Sequence, residues 1–241
     1  MRWNNGGAFD KFVRVSFRGE LLGGNIGMAL SKEVENLPEN GWLAAELSSF
    51  QLEKVKTFAP DVALMLNLTP DHMERHYTME AYNAAKRNIV AFQNSNQVAV
   101  LNYDDEAVRA WAEHTKAQIC YFSREVELEK GIFMRNGDFV IRWNGEEKVV
   151  INIKDCILFG GHNEQNILGA IGCGYFAGVS VEDMADVLRH FKSIEHRIEY
   201  VDTIKGVKYY NDSKATNTDS VIKALEAFEN GHIILLAGGH D

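Results

Sequence analysis

The chain is poor in proline and cysteine and has no long apolar run. Its 241 residues include three prolines and no Ser/Gly-rich tract, so no flexible linker is evident. The three cysteines, Cys120, Cys156 and Cys173, form no Cys-x-x-Cys pair, which argues against a disulfide framework and indicates a reducing compartment. No segment has the length of a membrane span or the pattern of a signal peptide. We therefore expect a cytoplasmic protein with no membrane partner.

The overall charge is acidic. Lys and Arg total 25 against 34 Asp and Glu, which gives a net charge of -9 and weighs against a nucleic-acid partner. An anionic substrate would need a local positive patch. The chain is 46% hydrophobic and 24% charged, as is typical of a soluble globular protein of one or two domains.

The first half alternates apolar strands with amphipathic helices. Strands are predicted at Trp42–Leu47, Asp61–Leu68 and Val98–Leu101, and helices at Met79–Phe92 and Glu106–His114. In the helix Met79–Phe92 one apolar face is predicted, formed by Tyr82, Ala85, Ile89 and Phe92. This alternation predicts an α/β fold with a mostly parallel sheet.

The spacing of apolar residues then changes to the alternation that is typical of antiparallel strands. Gly131–Ile153 alternates and contains Asn136-Gly137 and Asn144-Gly145, two strong hairpin-turn signals. A strand at Cys156–Phe159 and helices at Glu164–Ala177 and Val181–Phe191 are predicted to follow.

The polar stretch Asn211–Asn217 lies between a predicted strand, Gly206–Tyr210, and a continuous apolar run, His232–Ala237. We predict that the run is a buried parallel strand and that a helix precedes it, with Asn217 or Thr218 at its N-cap. A turn from a strand into a helix is a common ligand site in α/β sheets. On composition alone, a solvated turn explains the stretch equally well.

Three further polar clusters follow predicted strands. Gly23–Gly27 allows a close backbone approach to a ligand, or is a plain turn. Glu46 ends an apolar strand, where its carboxylate needs a partner such as a cation, or caps the next helix. His72 is a candidate metal ligand, acid/base group or turn cap.

Other polar residues carry weaker signals. Lys86 borders the buried face of its helix, where a lysine ordinarily extends to solvent. Asn163 and Asn166 lie three residues apart in the first turn of a helix, where they could read a base edge or cap the helix. Arg197 could bind a phosphate or be an ordinary surface arginine.

Together and in this order, these motifs resemble the Mur ligase family, from about residue 20 onward. The form of the last motif is that of the branch that adds D-glutamate. The resemblance is carried by Gly24–Gly27, Glu46–Glu53, Asn67–His72, Glu80–Lys86, His162–Asn166, His196-Arg197 and Asn211–Asn217.

The resemblance implies an ATP-dependent ligase of cytoplasmic peptidoglycan precursor synthesis. In that reaction ATP phosphorylates the carboxylate of UDP-N-acetylmuramoyl-L-alanine, and the amine of D-glutamate displaces phosphate from the acyl phosphate. Such chemistry needs Mg²⁺ to neutralise phosphate charge and needs close positioning of the reactants. The resemblance also implies a monomer.

The resemblance also implies roles for individual residues. The expected metal ligands are Glu46, His72 and a carbamylated Lys86. The expected catalytic residues are Lys86, His72 and Lys214. ATP is expected to contact Asn166, Arg197 and Asp212, with Asn166 at the adenine. The substrates are expected to contact Asn25, Ser213 and Thr216.

The family fold implies a domain division. Residues 20–194 correspond to a central ATP-binding domain and 195–241 to the first half of a Rossmann-like C-terminal domain, with 1–19 unassigned. The family's phosphate-binding Gly-Lys loop has no match, because the chain contains no Gly-Lys dipeptide. We therefore expect this chain to be truncated and inactive alone. A related Mur or folylpolyglutamate-type ligase fragment and a non-catalytic nucleotide-binding remnant remain alternatives.

Overall fold

The computed structural model describes residues 20–24, 29–33, 35, 37, 41–158, 160–191, 196–215, 218–228 and 232–238. The unassigned segment 1–19 and the predicted domain boundary near Glu195 lie outside these ranges. The domain division therefore stays a prediction.

The main sheet has six strands in the order in which they occur along the chain. A separate parallel pair, β1 (Glu20–Gly24) and β2 (Trp42–Glu46), precedes it. The first four strands of the main sheet run parallel and the last two are antiparallel. The fold is therefore mixed α/β, as predicted. The six strands are β3 (Val62–Met65), β4 (Val98–Asn102), β5 (Gln118–Ser123), β6 (Gly131–Arg135), β7 (Asp138–Trp143) and β8 (Glu146–Asn152).

Helices connect and cover the strands, and an antiparallel hairpin follows the main sheet. The hairpin strands are β9 (Glu199–Ile204) and β10 (Val207–Asn211). Short 3-10 turns occupy Ala110–His114 and Ile153–Asp155. None of the helices in the described ranges is long and apolar enough to cross a bilayer. The helices are α1 (Leu30–Glu33), α2 (Ser49–Leu52), α3 (Met73–His76), α4 (Met79–Ala91), α5 (Glu106–Arg109), α6 (Gly161–Phe176), α7 (Val181–His190) and α8 (Thr218–Glu226).

Helix α6 lies against the sheet at short range. All residues from Ile167 to Gly174 are buried. A Cβ on Gly169 would come within 2.9 Å of Leu66, and a Cβ on Gly172 within 2.7 Å of Val100. Such distances are too short for ordinary packing, so glycine at these two positions lets the helix approach the strands.

Both predicted hairpin turns are confirmed. Asn136 and Gly137 have φ angles of 52° and 85°, and Asn144 and Gly145 have φ angles of 51° and 81°. Consecutive positive φ angles are the signature of the tight hairpin turn that Asn-Gly favours.

Two predicted strands are wrong. Cys156–Leu158 is irregular because it leaves the edge of the sheet through a 3-10 turn, and Phe159 lies outside the described residues. The apolar run from His232 to Ala237 forms no strand and is exposed, with Ile234 at 87% and Leu236 at 91%. A strand needs a hydrogen-bonded neighbour, and apolar composition alone does not supply one.

The observed helix boundaries differ from the predicted ones by a few residues. Helix α6 begins three residues before its predicted start, at Gly161. Phe92 was predicted to lie on the apolar face of α4, but it follows the last helical residue and is exposed. The predicted helix Glu106–His114 is half α-helix and half 3-10 helix.

A part-buried hydrogen bond ties α4 to the 3-10 turn Ala110–His114 and gives a test of this packing. Trp111 is buried, and its Nε1 donates to Asn83 Oδ1 at 2.7 Å. We predict that Asn83→Ala lowers the free energy of unfolding by about 1–3 kcal/mol, because the indole N–H loses its acceptor. Urea denaturation measures the change. Asn96→Ala, at an exposed asparagine, is the control and should change stability by less than about 0.5 kcal/mol.

Candidate active site

Glu46 is held at the carboxyl end of β2 by a close contact with β1. Gly24 pairs with Glu46 in the parallel register and has a φ angle of 110°. A Cβ on Gly24 would collide with the carbonyl oxygen of Glu46. Gly24 therefore approaches the Glu46 backbone closely, whereas the predicted approach to a ligand stays a prediction and Asn25 lies outside the described residues.

The alternative that Glu46 caps the following helix is wrong. Helix α2 begins with a capping box in which Ser48 Oγ accepts from the backbone N–H of Gln51, and Gln51 Oε1 accepts from the N–H of Ser48 at 2.8 Å. Ser48 and Gln51 therefore satisfy the helix start without Glu46.

His72 occupies an unusual backbone conformation just before α3. Its φ angle of 55° places it in the left-handed region, and its side chain makes no capping hydrogen bond. The imidazole Nε2 lies 3.6 Å from Asp71 Oδ2, and 35% of the side chain is exposed. His72 therefore occupies the N-cap position of α3 through its backbone alone, and its side chain does not cap the helix.

One cavity of about 150 Å³ is lined by Glu46, Asp71, His72, Tyr82 and Lys86. Burial lowers the pKa of Lys86, while the Glu46 and Asp71 carboxylates oppose that change. An ordinary lysine would extend to solvent, so its burial beside two acids is a marked departure. The cavity therefore combines an amine of raised reactivity with carboxylate and imidazole donors.

Tyr82 forms the aromatic wall of this cavity. Burial and, to a smaller extent, the charge of Asp71 raise the pKa of Tyr82 to about 12. The Nζ of Lys86 lies 5.9 Å from the centre of the Tyr82 ring. The phenol thus stays protonated at neutral pH, and its ring faces the amine.

Helix α6 starts beside the carboxyl end of the parallel strand β5. Arg124 follows β5 directly, its guanidinium contacts Gly161, and its Nε donates to Glu164. Asn166 Nδ2 donates to Asn163 Oδ1 at 3.4 Å, so these two amides share one face as predicted. The capping alternative for Asn163 and Asn166 is wrong, because the N-cap is Gly160.

Arg197 and Asp212 lie close enough for the guanidinium charge to act on the carboxylate. Asp212 Oδ1 accepts from the backbone N–H of Ile198 at 3.0 Å. Burial raises the pKa of Asp212, and the Ile198 hydrogen bond and the Arg197 charge oppose that rise. Burial lowers the pKa of His162, and the positive charge of Arg197 lowers it further. Arg197 is therefore not an isolated surface arginine.

The polar turn after β10 is confirmed as a strand-to-helix connection. It is held by Lys214 N–H donating to His196 O at 3.0 Å and by Ser213 N–H donating to Asn211 Oδ1 at 3.1 Å. The side chains of Ser213 and Lys214 are exposed. Thr216 and Asn217 lie outside the described residues, and α8 begins at Thr218.

The predicted site residues therefore form two groups. Glu46, His72 and Lys86 share the cavity, whereas none of the other described candidates lines it, namely Asn166, Arg197, Asp212, Ser213 and Lys214. Asp71 and Tyr82 were missed, although Asp71 stands next to His72 and Tyr82 lies one turn before Lys86. That spacing was a usable signal, because residues four apart on a helix face the same side.

Comparison with known proteins identifies the family. A model of the Mur ligase middle domain matches residues 26–174, and the chain belongs to the Mur ligase family. It is 43% identical to the UDP-N-acetylmuramoylalanine–D-glutamate ligase of Koribacter versatilis over 222 residues, covering 92% of this chain and 49% of that protein. It is 46% identical to the enzyme of the same name from Alkaliphilus metalliredigens over 218 residues, covering 90% of this chain and 48% of that protein. The chain thus spans about half the length of the curated relatives it matches.

Solved structures share the fold at low sequence identity. MurF from Acinetobacter baumannii superimposes with a TM-score of 0.74 at 17% identity, covering 96% of this chain and 53% of that one. MurF ligase from Thermotoga maritima, in complex with ADP, gives 0.65 at 18% identity, covering 93% of this chain and 54% of that one. These matches confirm the predicted fold class.

The burial of Lys86 predicts a pH-dependent stability. Its folded-state pKa lies below the usual 10.5, so between these values the unfolded chain binds more protons than the folded one. The free energy of unfolding should therefore rise with pH as 10.5 is approached, and Lys86→Met should flatten that rise. Urea denaturation from about pH 8 to pH 10 in CO₂-free buffer measures the slope.

The matched control is Lys54→Met, at an exposed lysine, which should keep the slope of the unsubstituted chain. Equal slopes for Lys86→Met and Lys54→Met would contradict the assigned desolvation of Lys86.

Proposed function

We propose that this chain is part of a ligase that uses ATP to join D-glutamate to UDP-N-acetylmuramoyl-L-alanine. The observation that carries the proposal is the cavity lined by Glu46, His72 and Lys86 in a chain of the Mur ligase family. The choice of substrates is supported by the names of the relatives that are about 40% identical over nine-tenths of the chain. Peptidoglycan precursor synthesis in the cytoplasm is the process proposed.

The cavity fits a hard divalent cation. Carboxylate oxygens suit Mg²⁺, which binds few protein groups and keeps several waters, and His72 would add one nitrogen ligand. Within the described residues no three His, Cys, Asp or Glu side chains form a ready-made metal cluster. Glu46, His72 and one additional anionic group from Lys86 are the proposed ligands. When bound, Mg²⁺ would supply neutralisation of the phosphate charge.

Lys86 is the proposed source of that anionic group. The neutral amine attacks CO₂, an N–C bond forms and a proton is released, which leaves a carbamate. Burial supports this step because it lowers the pKa of Lys86 and so enlarges the neutral fraction of the amine. In this form Lys86 and His72 are the proposed catalytic groups of the cavity.

The second group of residues is proposed to hold ATP. Asn166 would face the adenine, and Arg197 and Asp212 the rest of the nucleotide. Their support is the placement of Arg197 beside Asp212 and His162 near the start of α6. Lys214 is proposed to act near the reacting groups, and the proposed substrate contacts are Asn25, Ser213 and Thr216.

The reaction itself forms and breaks two bonds in sequence. A carboxylate oxygen of UDP-N-acetylmuramoyl-L-alanine bonds to the γ-phosphorus of ATP while the bond to ADP breaks. The amine of D-glutamate then bonds to the acyl carbon, the C–O bond to phosphate breaks, and the amine loses a proton. The protein's part is to position these groups and stabilise the developing charge.

A chimera tests the function. Residues 20–238 replace the matching segment of the Koribacter versatilis ligase, and amide formation is followed by mass spectrometry with ATP, UDP-N-acetylmuramoyl-L-alanine and competing amino acids. We expect the D-glutamyl product, and a Lys214→Ala chimera should lower kcat by at least about tenfold. The isolated chain, which has no Gly-Lys dipeptide, should release no substrate-dependent ADP.

A folded chimera that selected another amino acid would overturn the assigned substrate. A chimera that bound ATP but made no product would overturn the assigned reaction, provided that the unsubstituted relative is active under the same conditions.

The carbamate has a separate spectroscopic test. In ¹³C-bicarbonate the chain should show a carbamate carbon resonance that is absent from Lys86→Ala and grows when Mg²⁺ is added. Lys54→Ala is the control, because Lys54 is exposed and should leave the resonance unchanged. A spectrum with no Lys86-dependent resonance at saturating bicarbonate would contradict the proposed modification.

A further inference from the structure

We propose that His76 is a positioning residue that fastens the Glu46-bearing segment to the His72-bearing segment, and so sets the geometry of the metal site. The inference rests on the metal site proposed above. It concerns a side chain outside the cavity ligands and assigns it no contact with substrate or metal.

His76 bridges two helices through both ring nitrogens. Its side chain is 3% exposed, its Nε2 lies 2.9 Å from Ser49 Oγ, and its Nδ1 lies 3.5 Å from Glu53 Oε1. With a proton on Nδ1, the nitrogen that faces the Glu53 carboxylate, a neutral His76 accepts at Nε2 from the Ser49 hydroxyl. The side chain of one histidine at the end of α3 thus engages both ends of α2.

The partners of His76 are close in sequence to the proposed ligands. Ser49 is the first residue of α2 and follows Glu46 by three residues. His76 ends α3, which begins directly after His72. Glu53 is also held by Arg75, whose guanidinium donates to Glu53 Oε2 at 2.8 Å. The contacts of Arg75 and His76 therefore fix how far the two ligand-bearing segments lie from each other.

A stack of rings extends the contact into the cavity wall. The Phe50 ring lies parallel to His76, with centroids 5.6 Å apart and an interplanar angle of 10°, and its centroid is 4.9 Å from that of His72. His76 also contacts Tyr82, with centroids 5.2 Å apart. Tyr82 lies one helical turn before Lys86, so His76 touches the walls beside both His72 and Lys86.

Ser49, His76 and Glu53 have the side chains of a nucleophilic triad, but their burial assigns them a structural task. Ser49 lines the cavity, but it is only 2% exposed and its hydroxyl is committed to His76. A nucleophile must reach a substrate atom. A buried hydrogen bond between segments 27 residues apart in the chain instead restricts their relative motion.

The left-handed backbone at His72 makes such a restraint necessary. Residues in that conformation persist when the surrounding structure holds them in place. Tyr77, at the C-terminal end of α3, also has a positive φ angle of 62°. Without His76 the short helix between these two residues would lose its buried anchor, and His72 would sample positions away from Glu46.

Mn²⁺ binding, followed by electron paramagnetic resonance of the free ion, tests the inference without any turnover. Ser49→Ala and His76→Phe should each weaken Mn²⁺ binding about tenfold, the range found when groups that orient metal ligands are removed. The double variant should be no weaker than His76→Phe alone, because that substitution already removes the hydrogen bond to Ser49. His76→Gln keeps a polar atom within reach of Ser49 and should recover part of the affinity.

Controls separate positioning from general instability. Asn83→Ala, which removes the hydrogen bond to Trp111 from a side chain outside the cavity lining, should lower stability but leave Mn²⁺ affinity unchanged. Glu46→Gln should abolish the binding and so assign the signal to this cavity. If His76→Phe does not fold, the nearly isosteric Ser49→Ala carries the test alone.

The outcomes are distinct. Failure of the unsubstituted chain to bind Mn²⁺ in a Glu46-dependent way overturns the metal site and this inference together. Unchanged affinity in Ser49→Ala and His76→Phe, with normal binding by the unsubstituted chain, overturns the inference alone. An equal loss in Asn83→Ala overturns it as well, because the effect would then be general softening of the fold.

Discussion

The close approach of α6 to the parallel strands is the constraint on which the remaining architecture depends. Gly169 and Gly172 let the helix backbone lie directly on Leu66 and Val100, and any larger side chain there would push it away. This contact fixes where the helix starts, which is beside Arg124 at the carboxyl end of β5. Glu46 is the last residue of β2, and the chain that leaves β3 leads to His72. The cavity residues Glu46 and His72 thus follow the carboxyl ends of parallel strands, where α/β proteins generally bind ligands, whereas Asp212 follows the antiparallel strand β10.

This placement explains how much of the site could be predicted from the sequence. A polar residue at the end of an apolar strand, such as Glu46, is visible in the pattern, and strand ends of a parallel sheet lie at one edge. The hairpins were predictable for an equally local reason, because Asn136-Gly137 and Asn144-Gly145 favour the positive φ angles that the turns require. The contact of His76 with Ser49 has no such local signal, since it depends on how two short helices pack.

The two wrong strands have a common physical cause. The runs Cys156–Phe159 and His232–Ala237 are apolar enough for buried strands, but neither finds a hydrogen-bonded neighbour among the described residues. An apolar side chain can be buried without belonging to a strand, as Leu158 is. Pairing is a property of two segments, whereas hydropathy is read from one. Strand prediction is therefore safest where a turn, such as Asn144-Gly145, brings the partner into register.

The electrostatics of the cavity connect the proposed modification to the proposed metal. When Lys86 carries an ammonium, its positive charge partly offsets the negative charges of the Glu46 and Asp71 carboxylates. Another cation is then less strongly attracted to the cavity. A carbamate on Lys86 reverses the sign of that charge and leaves three anionic groups around a buried space. Such an arrangement is costly in a low-dielectric site unless a divalent cation balances it. Carbamate and Mg²⁺ should therefore stabilise each other. Because binding linkage is reciprocal, bicarbonate should tighten Mg²⁺ binding by the same factor by which Mg²⁺ favours the carbamate.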